Sequence, residues 1–181
     1  AQWSAILALT NAGITSSDKI FTGRTDANGD FIGTTVSAKA QNPSAGGNTY
    51  KLSERWIQEF KAGDQRYANN VKQTATWIGN SDRGNSFNTR FTLVNGGAGL
   101  AKVVVYANSA LGAYEMVLGG NYEENELMKA EAKLYANDLS GAALSIDNVR
   151  NYQGAGLSSL VGTLLTLTNL KEELRRERRV A

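Results

Sequence analysis

The sequence predicts a mostly α-helical protein that contains tetratricopeptide-like helical hairpins, long loops and a minor amount of β structure. Apolar residues recur at three-and-four spacing through the last third of the chain, which is typical of amphipathic helices. Two of these helices are joined by so short a turn that they must lie antiparallel, as in a tetratricopeptide unit. Residues 22–49 are rich in Gly, Ser, Thr, Asn and Asp, a composition that favours a long loop.

The first half of the chain is predicted to hold two short helices and a strand. One helix covers residues 3–9, where apolar side chains share a face. The next begins at Ser53, a suitable N-cap, and runs to about Lys61, after which a glycine stops it. A strand is expected around Val71–Ile78, followed by a polar loop over residues 81–91.

The best strand candidate by β-branched content is "LAKVVVYA", residues 100–107, although the run is short and a helix is the alternative. Beyond it, residues 121–138 and 139–152 form the predicted helical hairpin, with Asn137 in the left-handed conformation at the turn. The apolar positions at helical spacing in the hairpin are Leu127, Met128, Leu134, Tyr135, Ala142, Ala143, Ile146 and Val149.

The basic ending "LKEELRRERRVA" is interpreted as a structural helix. Asn169 is the predicted cap, with Glu172 as the second half of a capping box. Glu172 reaches Arg175 and Arg176 at three-and-four spacing, so opposite charges pair along the helix. A nucleic-acid arm would show uninterrupted basic residues, and the net charge of the chain is only +2. No nucleic-acid partner is therefore expected.

Composition excludes several kinds of chemistry. The chain has no cysteine and no histidine, which rules out disulfides, thiolate or imidazole metal sites and Ser-His-Asp catalysis within these residues. No apolar run is long enough to cross a membrane. Acidic residues cluster on helix faces, where pairing explains them, so no catalytic carboxylate pair stands out. The sequence predicts no enzyme activity, no cofactor and no metal.

Aromatic and hydrogen-bonding residues form a candidate ligand-binding site. Aromatic faces bind flat apolar surfaces, while Asn, Asp and Arg hydrogen-bond polar groups such as hydroxyls. The predicted ligand-binding residues are Trp77, Asn80, Asp82, Arg83, Asn85 and Tyr67. The alternative is that Trp77 packs in the core and that the polar run after it is a solvated turn. Tyr67 has the corresponding alternative of half-buried packing.

Two loop patterns suggest other ligands with less support. "DANGDFIG" has Asp26, Asn28 and Asp30 at alternate positions, as at the start of a calcium loop, but Phe31 replaces the required glycine. "VNGGAGLAK", residues 94–102, is glycine-rich but lacks the spaced ending of a phosphate-binding loop.

Three blocks of sequence resemble the SusD/RagB family, the surface glycan-binding lipoproteins of Bacteroidetes. The first, "NYEENELMKAEAKLYANDLSGAALSIDNVRN", is similar to the signature hairpin of the family, and its Asn148-Val149-Arg150 resembles the N-x-V-R element with which that hairpin ends. The second, "KLSERWIQEFKAGDQRY", carries an Asp-x-Arg element at Asp64 and Arg66. The third, "NLKEELRRERRVA", resembles the closing E-x-x-x-E-R-R helix. The blocks follow the family's order and cover about a third of the chain.

The resemblance implies a function and a place in the cell. Residues 1–181 are interpreted as a single-domain internal fragment, since family members are far longer and carry a lipobox cysteine that this sequence lacks. We expect a surface-exposed lipoprotein of the outer membrane, held there only through a lipid anchor. It would capture an oligosaccharide or other nutrient and deliver it to a SusC-like TonB-dependent transporter.

Two other classes of function stay open at this stage. The main alternative is a helical-repeat scaffold that binds a peptide or protein partner. An enzyme is the third class, and release of reducing ends from a polysaccharide would support it. The sequence does not name the sugar.

Overall fold

The computed structural model describes residues 2–18, 22–24, 52–78, 89–108, 115–117 and 119–181. About half of these residues are helical, in agreement with the predicted mostly α class, whereas a tetratricopeptide-like repeat is not confirmed. The chain divides into two compact units. We call Ala1–Phe21 with Gly119–Ala181 the helical unit, and Thr22–Leu118 the mixed unit.

The helices described are α1 Gln2–Asn11, α2 Glu54–Ile57, α3 Gln65–Asn70, α4 Tyr122–Tyr135, α5 Leu139–Tyr152 and α6 Leu167–Val180. The strands are β1 Thr22–Arg24, β2 Val71–Ile78, β3 Thr89–Leu93 and β4 Glu115–Val117. They form two antiparallel pairs, β1 with β4 and β2 with β3.

The predicted hairpin is present as α4 and α5. Asn137 has φ +64°, which confirms the left-handed turn residue. Asp138 caps α5 by accepting a hydrogen bond from the Gly141 backbone N–H at 2.8 Å. A Cβ at Gly141 would lie 2.0 Å from an oxygen of Asp138, so the tight approach requires glycine. A cap residue and a glycine thus fix where α5 begins.

Aliphatic side chains of α4, α5 and α6 form the core of the helical unit. Its buried members are Leu127, Ala130, Leu134, Ala142, Ala143, Ile146, Val149, Leu170 and Leu174. Two positions predicted on the apolar face of α4 are wrong, since Met128 and Tyr135 are 40% and 45% exposed. The buried face of α4 also includes Asn125 and Glu126, whose side chains make hydrogen bonds there. The buried face is therefore rotated about the helix axis relative to the apolar face predicted from the sequence.

Helix α1 packs against α4 through one amide and one ring. The side chain of Asn125 donates to the carbonyl oxygens of Thr10 at 2.9 Å and Ile14 at 3.1 Å. The ring of Trp3 stacks on Tyr135 with centroids 4.4 Å apart and planes 12° from parallel. The amide thus bonds one carbonyl in the last turn of α1 and one in the segment that follows the helix.

Helix α6 is joined to α5 by a buried cluster of charges. Nε of Arg150 donates to Glu177 at 2.8 Å, and a terminal nitrogen donates to Glu173 at 2.6 Å. Burial by itself would lower the pKa of Arg150, but hydrogen bonds to the two carboxylates outweigh it and raise the pKa above its ordinary value. The guanidinium therefore stays charged. The prediction that Asn169 caps this helix is wrong, because Thr166 is the N-cap and accepts from the Asn169 N–H at 3.1 Å.

The described helices of the mixed unit are short. Among the residues described there, Val71, Phe91, Leu93 and Ala107 form a cluster of buried apolar side chains. The predicted strand Val71–Ile78 is confirmed as β2, while β3 takes up residues assigned from sequence to the polar loop 81–91. The predicted helix from Ser53 to Lys61 ends earlier, at Ile57, because the next amides bond carbonyls three residues back.

Residues 100–107 contain no strand, contrary to the prediction from their β-branched content. Two asparagines at the end of α3 hold this stretch instead. Asn70 donates to the Val104 carbonyl at 2.6 Å and accepts from the Tyr106 N–H at 2.8 Å. Asn69 accepts from the Ala98 N–H at 2.8 Å. Side-chain amides thus satisfy backbone groups that a neighbouring strand would otherwise bond.

Candidate functional site

Four aromatic rings of the mixed unit lie together, and we call them the aromatic cluster: Trp56, Phe60, Tyr67 and Tyr106. The rings of Trp56 and Phe60 meet edge to face, with centroids 4.8 Å apart. Phe60 lies 5.5 Å from Tyr67, and Tyr106 lies 5.8 Å from Trp56. These separations fall in the range where aromatic pairs attract each other beyond simple burial.

Caps and a buried ion pair place the helices that carry two of these rings, Trp56 on α2 and Tyr67 on α3. Ser53 caps α2 by accepting from the Arg55 N–H at 3.2 Å, which confirms the predicted cap. Asp64 caps α3 and also binds the Arg66 guanidinium through two contacts, at 2.7 and 3.0 Å. Both side chains of that pair are 1% exposed. Because the turn is fixed at Asp64, the Tyr67 ring is held one helical turn further on.

A cleft of about 270 Å³ opens beside the cluster. We call it the tyrosine cleft; it is lined by Ile57, Phe60, Lys61, Ala62, Gly63 and Tyr67. Its size is near the lower end for small-molecule sites, so it matches one or two sugar rings. Gly63 has φ +85°, a conformation that other residues rarely adopt, so the cleft's rim depends on glycine there.

The tyrosine cleft has the groups that sugar recognition needs. The half-buried ring of Tyr67 offers a flat apolar surface with a hydroxyl at its edge, and Lys61 brings an ammonium group to the rim. Backbone groups of the turn at residues 61–63 lie within the same cleft. The arrangement can stack a pyranose and orient its hydroxyl groups.

The structure places two of the six predicted site residues. Tyr67 lines the tyrosine cleft while packing against the core, so its predicted role and the packing alternative are both compatible with its position. Trp77 lies on β2, one residue before its end. The predicted hydrogen-bonding residues Asn80, Asp82, Arg83 and Asn85 lie outside the described residues, as does the calcium-like pattern at Asp26, Asn28 and Asp30.

Sequence reasoning did not bring Phe60 and Tyr106 into one cluster with Tyr67. Phe60 falls within the predicted helix from Ser53 to Lys61, and its spacing of four from Trp56 is the signal for their contact. Tyr106 had no such signal. It reaches the cluster because Asn70 binds its backbone N–H, a contact 36 residues away in sequence.

The glycine-rich stretch 94–102 serves packing. A Cβ at Gly97 would lie 2.5 Å from the amide nitrogen of Asn69, so the glycine makes room for that side chain. Among the described residues, no group of three or more acidic side chains is placed to hold a metal ion. No described helix is long and apolar enough to span a membrane.

Comparisons with protein-family models, with characterised proteins and with solved structures return no match for this chain. The features that bear on function are therefore the three sequence blocks described above, the contacts that their residues make, and the tyrosine cleft.

Proposed function

We propose that this chain belongs to a SusD/RagB-type binding protein that captures an oligosaccharide or other nutrient without catalysing a reaction. In this proposal the protein is a lipid-anchored component of the bacterial outer-membrane surface. It hands its ligand to a SusC-like TonB-dependent transporter, and the α4–α5 hairpin is a tetratricopeptide-like unit.

The contact of Arg150 with α6 carries the proposal. Arg150 is the arginine of the N-x-V-R element, and Glu173 and Glu177 are the two glutamates of the E-x-x-x-E-R-R element. These motifs lie more than twenty residues apart, yet their charged groups meet in one cluster in which Arg150 is 3% exposed. A chance likeness in two separate blocks would not be expected to join the motif residues in this way.

The Asp-x-Arg block behaves similarly within the mixed unit. Asp64 and Arg66 pair with each other, fully buried, and set the start of α3. Charges buried this deeply are costly unless they are paired and hydrogen-bonded, so their retention fits a structural motif. The second block therefore supports the same family assignment from an independent position.

Carboxylates of the helical unit are engaged in structure, which favours binding over catalysis. Asp147 accepts hydrogen bonds from the Ser159 hydroxyl at 2.6 Å and from the backbone N–H groups of Leu160 and Val161. Glu173 and Glu177 hold Arg150. A catalytic acid or base must instead be able to reach a substrate proton.

Calorimetric titration with neutral oligosaccharides tests the proposal. We expect saturable binding by the native chain and roughly tenfold weaker binding by Tyr67→Leu, because leucine keeps apolar packing but removes the flat stacking surface. Tyr152→Leu is the matched control, since Tyr152 is a half-exposed tyrosine of the helical unit. Trp77→Ala is expected to weaken binding without a large loss of stability if the loop after β2 contributes to the site.

Three outcomes would contradict the proposal. Release of reducing ends during the titration would identify an enzyme. A polypeptide that saturates tryptophan fluorescence, where sugars leave it unchanged, would favour the helical scaffold. Failure of the full-length protein to co-purify with a TonB-dependent transporter would remove the delivery step.

A further inference from the structure

One asparagine–glycine pair lies in a tight turn of the mixed unit. The sequence contains two such pairs, and Asn95–Gly96 is the one that falls within the described residues. Asn95 is exposed to solvent. Asparagine is a thermally labile residue, and a glycine after it lets the backbone nitrogen approach the amide carbon of the asparagine side chain closely. The pair is therefore a candidate site for chemical modification of the chain.

The modification is loss of the side-chain amide group as ammonia. The backbone nitrogen of Gly96 gives up its proton and attacks Cγ of Asn95, ammonia leaves, and a cyclic imide forms. Water then opens the imide at either of its two carbonyl groups. One product is an ordinary aspartate. The other is isoaspartate, in which the main chain runs through the former side chain and is longer by a methylene group. The reaction needs only water and a free Gly96 N–H.

In the folded chain this N–H is engaged in a hydrogen bond. Gly96 donates to the carbonyl oxygen of Ala107 at 2.7 Å, and Gly97 closes the turn by donating to the carbonyl oxygen of Val94 at 3.2 Å. Ala107 is fully buried, so the first of these bonds lies at the edge of the core. Attack on Asn95 therefore requires that the turn first open locally.

Two buried asparagines of α3 determine how easily the turn opens. Asn70 accepts a hydrogen bond from the Tyr106 N–H at 2.8 Å, directly before Ala107. Asn69 accepts from the Ala98 N–H at 2.8 Å, shortly after the turn. Because these amides hold the backbone on both sides of the Gly96 bond, the rate of modification should depend on them.

The packing leaves no room for the longer main chain of isoaspartate. A Cβ at Gly97 would lie 2.5 Å from the side-chain nitrogen of Asn69, and Gly96 and Gly97 already have φ values of +71° and +69°. An inserted methylene group should therefore break the bond between Gly96 and Ala107. Ala107 directly follows Tyr106, so the aromatic cluster would lose the backbone contact that fixes one of its four rings.

We propose that Asn95 is a site of spontaneous deamidation that the fold holds in check, and that isoaspartate formed there releases Tyr106 from the aromatic cluster. Water is the co-reactant and ammonia the leaving group. The fold sets the rate through the opening of the turn. This inference does not depend on the ligand of the proposed function.

Peptide mapping tests the site and its protection by the fold. Trypsin releases residues 91–102 as one peptide, in which Asn95 carries the only side-chain amide. Chromatography with mass spectrometry separates its asparagine, aspartate and isoaspartate forms. We expect conversion in guanidinium chloride at neutral pH and slower conversion in the native chain. Because both reactions need a free Gly96 N–H, the slowing should match the hydrogen-exchange protection of the Gly96 amide within about threefold.

A variant of α3 changes both rates together. Asn70→Ala removes bonds that hold the loop, so conversion at Asn95 and exchange at Gly96 should both accelerate by about fivefold or more. Gln73→Ala is the control, since Gln73 is an exposed amide on β2, and both rates should stay within about twofold of the native values. If Asn70→Ala unfolds the mixed unit, the comparison of the two rates in the native chain decides the question.

Asn95→Asp separates the effect of the new charge from that of the longer main chain. This variant carries a carboxylate on an ordinary backbone, and exchange at the Tyr106 amide should stay within about twofold of the native rate. The purified isoaspartate form of the native chain should exchange there at least about fivefold faster.

Three results would overturn the inference. Absence of conversion at Asn95 in the denatured chain removes the site. Conversion that is as fast in the native chain as in the denatured one, or a slowing that differs from the Gly96 protection by more than about threefold, removes the protection by the fold. Equal exchange at Tyr106 in the isoaspartate form and in Asn95→Asp removes the structural consequence.

Discussion

The two units of this chain reach order by different means. Three 14-residue helices of the helical unit share one aliphatic core, and a buried ion cluster joins two of them. In the mixed unit the two helices that the structure describes have four and six residues, and side-chain amides hold the loop 94–108 in place. Long helices satisfy most of their backbone hydrogen bonds internally, whereas short elements depend on individual polar side chains to bond their backbone groups. Substitutions should therefore act differently in the two units.

The largest effect is expected for Ile146→Asp in the helical unit. Ile146 is fully buried between α4, α5 and α6, so the change buries an unpaired carboxylate and removes apolar contacts. We expect a loss on the order of 5 kcal/mol in the free energy of unfolding, enough to unfold the unit. Denaturant titration followed by circular dichroism measures it. Leu144→Asp on the same helix, where Leu144 is 50% exposed, should cost far less; equal losses would mean that the buried face is misassigned.

Arg150→Met tests the buried charge cluster. Glu173 and Glu177 would lose their shared partner, and a loss of about 3–5 kcal/mol in the free energy of unfolding is expected. Arg176→Met, at an exposed pair, should change it by less than about 1 kcal/mol. Adding Glu173→Leu and Glu177→Met to Arg150→Met should restore much of the stability, because no unpaired charge is then buried. A triple variant as unstable as the single one would contradict this account.

Asn70→Ala gives the corresponding test in the mixed unit. It removes an acceptor for the Tyr106 N–H and a donor to the Val104 carbonyl, with an expected loss of about 1–3 kcal/mol. Hydrogen exchange at the Tyr106 amide should accelerate at the same time. Gln73→Ala is the control, since Gln73 is an exposed amide on β2. An unchanged exchange rate in Asn70→Ala would show that backbone pairing elsewhere holds the loop.

The smallest expected effect is a change in stability with pH that arises from Glu172 on the surface of α6. Hydrogen bonds from Arg175 and then Arg176 lower the pKa of Glu172 from 4.5 to about 2. A carboxyl with a lowered pKa in the folded state adds stability that is complete above 4.5 and is lost as pH falls towards 2. The gap in stability between the native chain and Glu172→Gln should narrow over this window. A gap that is independent of pH, or a Glu172 carboxyl that titrates near 4.5 by NMR, would contradict the pairing.

The helical unit was largely predictable from sequence because its helices and turn are determined by residues close together in the chain. Three-and-four spacing placed α4, α5 and α6, and the left-handed Asn137 between Leu134 and Leu139 marked the turn. The errors concern choices between neighbours of similar chemistry. Thr166 and Asn169 are both good caps, and the residue actually used depends on where Leu170 meets the core.

The mixed unit was predicted poorly because its information is not local. The β-branched run at residues 100–107 favours a strand by propensity, but Asn70 satisfies its backbone groups from more than 30 residues away. The site shows the same division. Tyr67 was identified from its side-chain chemistry, whereas Tyr106 joins the aromatic cluster through the long-range contact with Asn70. The charge cluster at Arg150 was missed because pairing along α6 alone hides the fact that Glu173 and Glu177 turn inward.

The bond between Asn125 and Thr10 spans 115 residues of sequence, and this separation sets the order of events during synthesis. Helix α1 leaves the ribosome before α4, which follows only on the order of ten seconds later at ordinary rates of translation. A helix of ten residues is not stable alone in water, so α1 cannot adopt its final packing until α4 has been made. Closing the intervening loop costs about 2 kcal/mol more than closing one of roughly ten residues. Helix α1 is therefore expected to become fixed only after a helix that is synthesised more than a hundred residues later.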